Sequence, residues 1–363
     1  VEANEASTEH SKSPEHLSPE LQSNTIDCGD KTPQEIYDSW KDAQENWVRS
    51  YDKRVEKAKT AAQKEDGRTE GRLVFYSADA MFRRAVRLCL SSDAIKRAPR
   101  GIPVYEVPYP VVFTLVNPEQ PFIISKVRRV NYRFGFAEAA WILSGSESAT
   151  DIGAFNKKML TYSDDGETLW GAYGPRLMGQ LNHVIETLKR DPDSRQAVAT
   201  TWRPMYDLHQ SKDIPCTVAW HFQVRNGNLH LTVFMRSHDV WLGMPYDVLS
   251  FTTVQRVVAS MLGLGLGSYN HVISNLHLYE SNYKDAKRLS LVCNDFVPSI
   301  PSFNNTFDQC SVNNVKRIFS ETLEGQAVYN NVSMQPFYAA ITRDPSLWDG
   351  WKPLMEGNGW NVK

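Results

Sequence analysis

Nowhere in these 363 residues does an apolar run approach the roughly 18 residues that a membrane helix needs, and the polar N-terminus has no apolar centre like that of a secretory leader. Both shortages predict a soluble, cytoplasmic protein. Cysteine is scarce as well: Cys28, Cys89, Cys216, Cys293 and Cys310 are scattered, with no C-x-x-C pair and no metal-ligand spacing. An odd number in a chain this long argues against a disulfide framework and predicts reduced thiols and no bound metal. A surplus of one charge is also missing. Forty Lys and Arg face 42 Asp and Glu, a formal net charge of −2, so the basic footprint of a general nucleic-acid binder is absent. A small anion gripped by a few local arginines remains allowed.

What is present is apolar enough to build a large core, at 41% hydrophobic and 11% aromatic residues. Residues 1–31 are the exception: rich in Ser, Glu, Asn and Pro, they bury too little to offset ordering entropy and are expected to be mobile or draped on the surface. Thr32-Pro33-Gln34-Glu35 then has the signature of a helix start, with Ile36, Trp40, Trp47, Tyr51 and Val55 at helical spacing. Together with a second helix at 78–90, in which Cys89 reads as a small buried hydrophobe, it defines an added helical segment over 32–95. A catalytic domain is expected over 96–325, and a segment rich in Trp, Pro and Asn over 326–363 packs on or near it. Within the domain, strands are predicted at 109–116, 122–125, 197–202 and 274–279, and helices at 131–145, 177–189 and 248–262. Gly263, Gly265 and Gly267 follow a helix instead of a strand, which excludes a dinucleotide-binding fingerprint.

The chemistry concentrates between Asp213 and Asp247. Cys216 stands between Pro215 and Thr217 and opens an alternating strand of Val218, Trp220, Phe222 and Val224. Asn226-Gly227 is a strong hairpin turn, and Leu229, Leu231, Val233 and Met235 lead back to Arg236. Pairing across that turn brings positions 216 and 236 together, and a thiol beside a fixed guanidinium is expected to have a depressed pKa and act as a nucleophile. Upstream, Arg100 lies in the turn-rich Ala98-Pro99-Arg100-Gly101-Ile102-Pro103, either a phosphate loop or a solvated surface. Glu138 sits in an apolar helix, where a carboxylate is costly unless salt-bridged or functional. His277 and Tyr279 alternate along a strand and so share one face.

Four motifs in one chain order, DPDSR at 191–195, PC at 215–216, RSHDVWLGMPYD at 236–247 and HLY at 277–279, resemble the thymidylate synthase family over roughly residues 100–283. The resemblance implies an α/β (α+β) fold with a large mixed β-sheet flanked by helices, dimerising sheet to sheet. It implies Cys216 as the nucleophile that adds to pyrimidine C6. Glu138, matching the family's ELLWFLQG helix, would organise water and proton transfer. Arg100, Arg236 and Ser237 would hold the phosphate of a pyrimidine nucleoside monophosphate, with Arg195 reaching in from the partner subunit. Tyr173, in a GAYG resembling the family's GxVYG, would line the site, and His277 and Tyr279 would bind a ribose hydroxyl. The one-carbon donor would be 5,10-methylenetetrahydrofolate, placed near Asp239, Leu242, Gly243 and Tyr246.

Three departures stand out. Gln196 replaces a second phosphate-binding arginine, Thr217 stands where synthases usually have His after the Cys, and Asp247 stands where they have Asn. An amide accepts from uracil N3–H and donates to O4, whereas a carboxylate accepts from the amino group of cytosine. The last two departures match the cytidylate hydroxymethylases, in which water instead of hydride completes the transfer. The expected activity is therefore 5-hydroxymethylation of CMP or dCMP. A uracil-nucleotide methylase or hydroxymethylase, and a non-catalytic nucleotide-binding paralogue, are the alternatives.

Overall fold

The computed structural model describes residues 68–69, 72–207 and 210–292. The 1–31 tail, the helix expected from Thr32, the 326–363 segment and Cys28, Cys293 and Cys310 lie outside the described residues. In chain order the elements are β1 (Arg68–Thr69), β2 (Arg72–Phe75), α1 (Ala78–Cys89), β3 (Ile95–Arg97), β4 (Val104–Glu106), β5 (Val111–Leu115), α2 (Tyr132–Ser144), α3 (Ala149–Gly153), α4 (Tyr173–Arg190), β6 (Val198–Thr200), β7 (Thr217–Arg225), β8 (Asn228–Met235), β9 (His238–Asp239), α5 (Met244–Met261), β10 (Gly265–Ile273), β11 (Leu276–Tyr279) and α6 (Tyr283–Leu291). Among the described residues, seven strands form a mixed sheet in the order β1-β2-β5-β10-β8-β7-β6, and four form a smaller one, β3-β4-β11-β9. No described helix is long and apolar enough to cross a membrane.

The hairpin forms for the reason its sequence suggests. Asn226 (φ 50°) and Gly227 (φ 71°) both adopt positive φ, and β7 pairs antiparallel with β8 from Arg225↔Asn228 to Thr217↔Met235. Alternation then sorts the side chains. Trp220, Phe222, Leu229, Leu231 and Val233 are fully buried, and Trp220 packs edge-on at 4.5 Å against Phe251 of α5. A register shift between Thr217 and Ala219 places an irregularity immediately after Cys216, where it helps re-aim the chain. A second shift, in the β8–β10 pair between Leu266 and Tyr269, is pinned by buried Gln255, whose Nε2 donates to the carbonyls of Leu229 (2.8 Å) and Gly267 (3.2 Å).

Several expectations need revision. Residues 122–125 are not a strand: Ile123 N–H donates to the Tyr132 hydroxyl, which donates back to Ile123 O, and Ile124 N–H donates to Asp79 Oδ1 at 3.0 Å. Buried side chains of α1 and α2 satisfy this backbone, so no strand partner is required. The sheet also extends N-terminal to residue 96, because β2 pairs parallel with β5 and Met81, Phe82 and Ala85 of α1 are fully buried in the common core. Helix α4 starts at Tyr173, four residues before the expected start, with Pro175 tolerated in its first turn. Helix α5 likewise starts at Met244 and draws Asp247 into its first turn.

Candidate active site

Cys216 ends the loop before β7 and Arg236 follows the last residue of β8, so hairpin pairing alone sets them side by side. Arg236 N–H donates to Cys216 O at 2.9 Å, and its Nη2 lies 4.0 Å from Cys216 Sγ. The guanidinium is fixed by Nε–H donation to Pro215 O (2.9 Å), Nη2–H donation to Ile214 O (3.1 Å) and stacking on Trp202 at 5.5 Å. Its Nη1 hydrogens have no protein acceptor among the described residues and remain available to an anion.

Two cavities meet at this thiol. The larger, about 870 Å³, is lined by Arg100, Cys216, Arg236, Ser237, Asp239, His277 and Tyr279, and also by Trp202, Lys212 and Asp213. The inner one, about 160 Å³, is lined by Glu138, Tyr173, Cys216 and Asp247. Tyr173 is placed by two glycines. A Cβ on Gly171 would sit 2.9 Å from Asp213 O, and one on Gly174 would sit 2.9 Å from the carbonyls of Ile142 and Ser146, so neither position takes a larger residue without moving backbone. The Tyr173 hydroxyl then accepts from Thr217 N–H at 3.3 Å. Arg100 occupies a left-handed conformation (φ 54°) in the turn at Pro99–Gly101, the kind of outlier that clusters at ligand sites.

Leu242, Gly243 and Tyr246 do not line these cavities, and neither does Arg195, whose expected place is the partner's site. Arg195 is exposed at the sheet edge, before β6. Leu242 donates its N–H to Asp239 Oδ2 and Gly243 caps α5. Tyr246 is engaged elsewhere, with its hydroxyl accepting from Asn131 N–H, its ring edge-on to Phe134 at 4.9 Å and the Arg128 guanidinium 5.6 Å from its ring centroid. Of the four residues expected near folate, Asp239 alone lines the larger cavity.

This arrangement coincides with a match of residues 94–316 to the thymidylate synthase family model. The chain belongs to the thymidylate synthase family. It is 35% identical over 204 residues to the deoxyuridylate hydroxymethyltransferase of Bacillus phage SP01, covering 51% of this chain and 53% of that protein. It is 34% identical over 199 residues to the deoxyuridylate hydroxymethyltransferase of Pseudomonas phage M6, covering 53% and 57%. The chain thus spans about half the length of the curated relatives it matches.

Electrostatics divide the roles within this family member. Burial pushes the Cys216 thiol above its ordinary value of 9.0; Arg236 and Arg100 pull it down, and Asp247 and Asp213 add to the rise. The expected depression is therefore corrected for the free protein: desolvation outweighs a guanidinium 4.0 Å away. Iodoacetamide modification of Cys216, followed by peptide mass mapping, should keep accelerating above about pH 9, and Arg236→Met should slow it further. A plateau already reached near neutral pH would contradict this.

Glu138 finds no arginine partner in a described salt bridge. Burial first, and then the charge of Asp247, raise its pKa to about 8, opposed by the Ser250 hydroxyl 3.4 Å away. It is thus protonated at neutral pH. Because its folded pKa exceeds the ordinary 4.5, the folded chain binds more protons in that window, and stability present below 4.5 is lost as pH rises through about 8. Glu138→Gln removes this loss. In urea titrations the stability of the variant relative to the parent should rise between about pH 5 and pH 8 by on the order of 3 kcal/mol, while turnover falls. A pH-independent difference would refute the assignment.

His238, Trp202, Lys212 and Asp213 were not singled out from the sequence. Trp202 closes a predicted strand and His238 lies inside the RSHD run, so position in a motif was the available signal. No group of three or more His, Cys, Asp or Glu side chains among the described residues is arranged to hold a metal.

Proposed function

We propose that this protein 5-hydroxymethylates a cytosine nucleoside monophosphate, CMP or dCMP, using 5,10-methylenetetrahydrofolate and water and releasing tetrahydrofolate. The observation that carries the base assignment is Asp247, a carboxylate lining the inner cavity together with Cys216 and Glu138. A carboxylate accepts from the exocyclic amino group of cytosine and has no donor for uracil O4. Cys216 adds as thiolate to C6, which makes C5 nucleophilic and splits one hard substitution into two easier steps. Glu138, protonated at neutral pH, holds the proton that must move at the ring. Arg236, Arg100 and Ser237 grip the phosphate, and His277 and Tyr279 face the sugar.

The larger cavity suits the one-carbon donor together with the nucleotide sugar and phosphate, since about 870 Å³ falls in the range of roughly 300–1,000 Å³ usual for small-ligand sites. Asp239 and Trp202, which also line it, are the polar and aromatic groups that would hold the one-carbon donor. Bound there, the folate supplies carbon at the formaldehyde oxidation level.

A second reading, hydroxymethylation of deoxyuridylate, is favoured by the activity for which the two phage relatives are named. Incubating CMP, dCMP, UMP and dUMP separately with methylenetetrahydrofolate and weighing the products separates the two. A cytosine product heavier by one formaldehyde unit supports the first reading, and product from uracil nucleotides alone supports the second.

A sheet-to-sheet homodimer with Arg195 entering the partner's phosphate site belongs to the same proposal. On β7 and β8, His221, Gln223, His230 and Thr232 alternate with the core residues yet are only partly buried, and Phe234 is 40% exposed. A dimer is expected in sedimentation velocity at micromolar concentration, and Arg195→Ala should raise KM for the nucleotide. A monomer would remove the crossing arginine from the account.

A further inference from the structure

The base-reading carboxylate does not stand alone. His238 Nε2 lies 2.9 Å from Asp247 Oδ2, with the histidine side chain 2% exposed and the aspartate side chain 19% exposed. Backbone on both sides fixes the pair. His238 N–H donates to Asn275 O at 2.8 Å, and β9 is held against β11 through Leu276↔His238. A tight turn then returns the chain, with Gly243 N–H donating to Asp239 O and Asp247 N–H to Gly243 O at 3.0 Å. A Cβ on Gly243 would lie 3.6 Å from both Asp247 Oδ2 and His238 Cδ2, so the glycine packs closely against the dyad. Sequence spacing of nine residues becomes direct contact.

The histidine's other nitrogen decides where its proton sits. Nδ1 is buried with no partner among the described residues, and its ring lies 4.6 Å from the ring of His271, which burial keeps neutral. An unmet buried N–H is the costlier orphan, whereas an unmet lone pair is better tolerated. The tautomer that satisfies the network therefore carries its proton on Nε2 and donates it to Asp247.

We infer that His238 is a specificity-determining positioning residue that occupies Asp247 Oδ2 and so turns the other carboxylate oxygen toward the exocyclic group of the base. A carboxylate left unanchored can turn to accept from uracil N3–H as readily as from the cytosine amino group. The His238 contact at 2.9 Å leaves Oδ1 as the acceptor presented to the base. An acceptor held opposite the exocyclic position meets an amino hydrogen on cytosine and only lone pairs on uracil O4.

This rests on the cytosine reading above and adds what enforces it. The test is kcat/KM for cytosine and uracil monophosphates of the same sugar in the parent, His238→Gln and His238→Phe. Glutamine keeps a donor near the Nε2 position and should preserve most of the preference. Phenylalanine keeps the ring and loses the donor, so the cytosine-to-uracil ratio should fall about tenfold or more. The ratio is independent of the fraction of folded enzyme, so a merely structural role would leave it unchanged. If Phe does not pack, His238→Asn, smaller and too short to reach Oδ2, should lower the ratio in the same way. A parent that prefers cytosine, with an unmoved ratio in the donor-less variants, overturns the role of His238 alone. A parent that prefers uracil overturns both the base assignment and this role.

Discussion

Cys216→Ala is expected to remove turnover by a factor of about 10⁴ or more, the scale seen when a nucleophile is deleted from a covalent mechanism, while nucleotide affinity changes little. The two halves of this result have separate structural causes. The thiol lines both cavities, and the residues that line both with it, Met159, Asp213 and Ile214, carry no thiol or amine to add in its place to a ring lying between them. The binding groups, by contrast, are anchored independently of sulfur: Arg236 is held by the carbonyls of Ile214 and Pro215 and by Trp202. Isothermal titration with the nucleotide, alongside single-turnover assays, separates the two effects. Residual turnover within tenfold of the parent would remove covalent catalysis, and loss of binding would show that the thiol holds the loop together.

The second large effect is a change of base preference in Asp247→Asn. In the parent, His238 Nε2 lies 2.9 Å from Oδ2, and with the proton on that nitrogen an asparagine can offer its oxygen to the same donor and turn its NH₂ toward the base. Cytosine then loses the acceptor for its amino group, and uracil O4 gains a donor. A mismatched buried polar pair costs about 1–3 kcal/mol, so the cytosine-to-uracil ratio of kcat/KM should fall roughly ten- to a hundredfold. Uracil turnover should rise from a low base. An unchanged ratio would show that the base is read elsewhere.

Local chemistry made the hairpin legible in the sequence, because Asn226-Gly227 and strict alternation on either side permit one register, and that register delivers Cys216 to Arg236. Helix α2 was equally legible from its apolar density and its terminal Gly145. What the sequence hid were the interactions that depend on tertiary neighbours. Residues 122–125 have the composition of a strand, yet Tyr132 and Asp79 satisfy their backbone. The thiol's pKa was misjudged because a neighbouring charge is visible in a motif and desolvation is not. His238 went unnoticed because its partner is nine residues away across a turn whose closure only the fold reveals. Tyr246, placed near folate by resemblance, makes contacts with Asn131, Phe134 and Arg128 that the sequence did not reveal.

Release of tritium from C5 of labelled cytosine and uracil nucleotides bears most directly on the central claim, because C5 gives up its hydrogen only after a nucleophile has added at C6. The account predicts that the parent, supplied with methylenetetrahydrofolate, releases label from a cytosine monophosphate well above the uracil counterpart, and that Cys216→Ala releases none from either. Label released from uracil nucleotides alone, or released undiminished by Cys216→Ala, would contradict it.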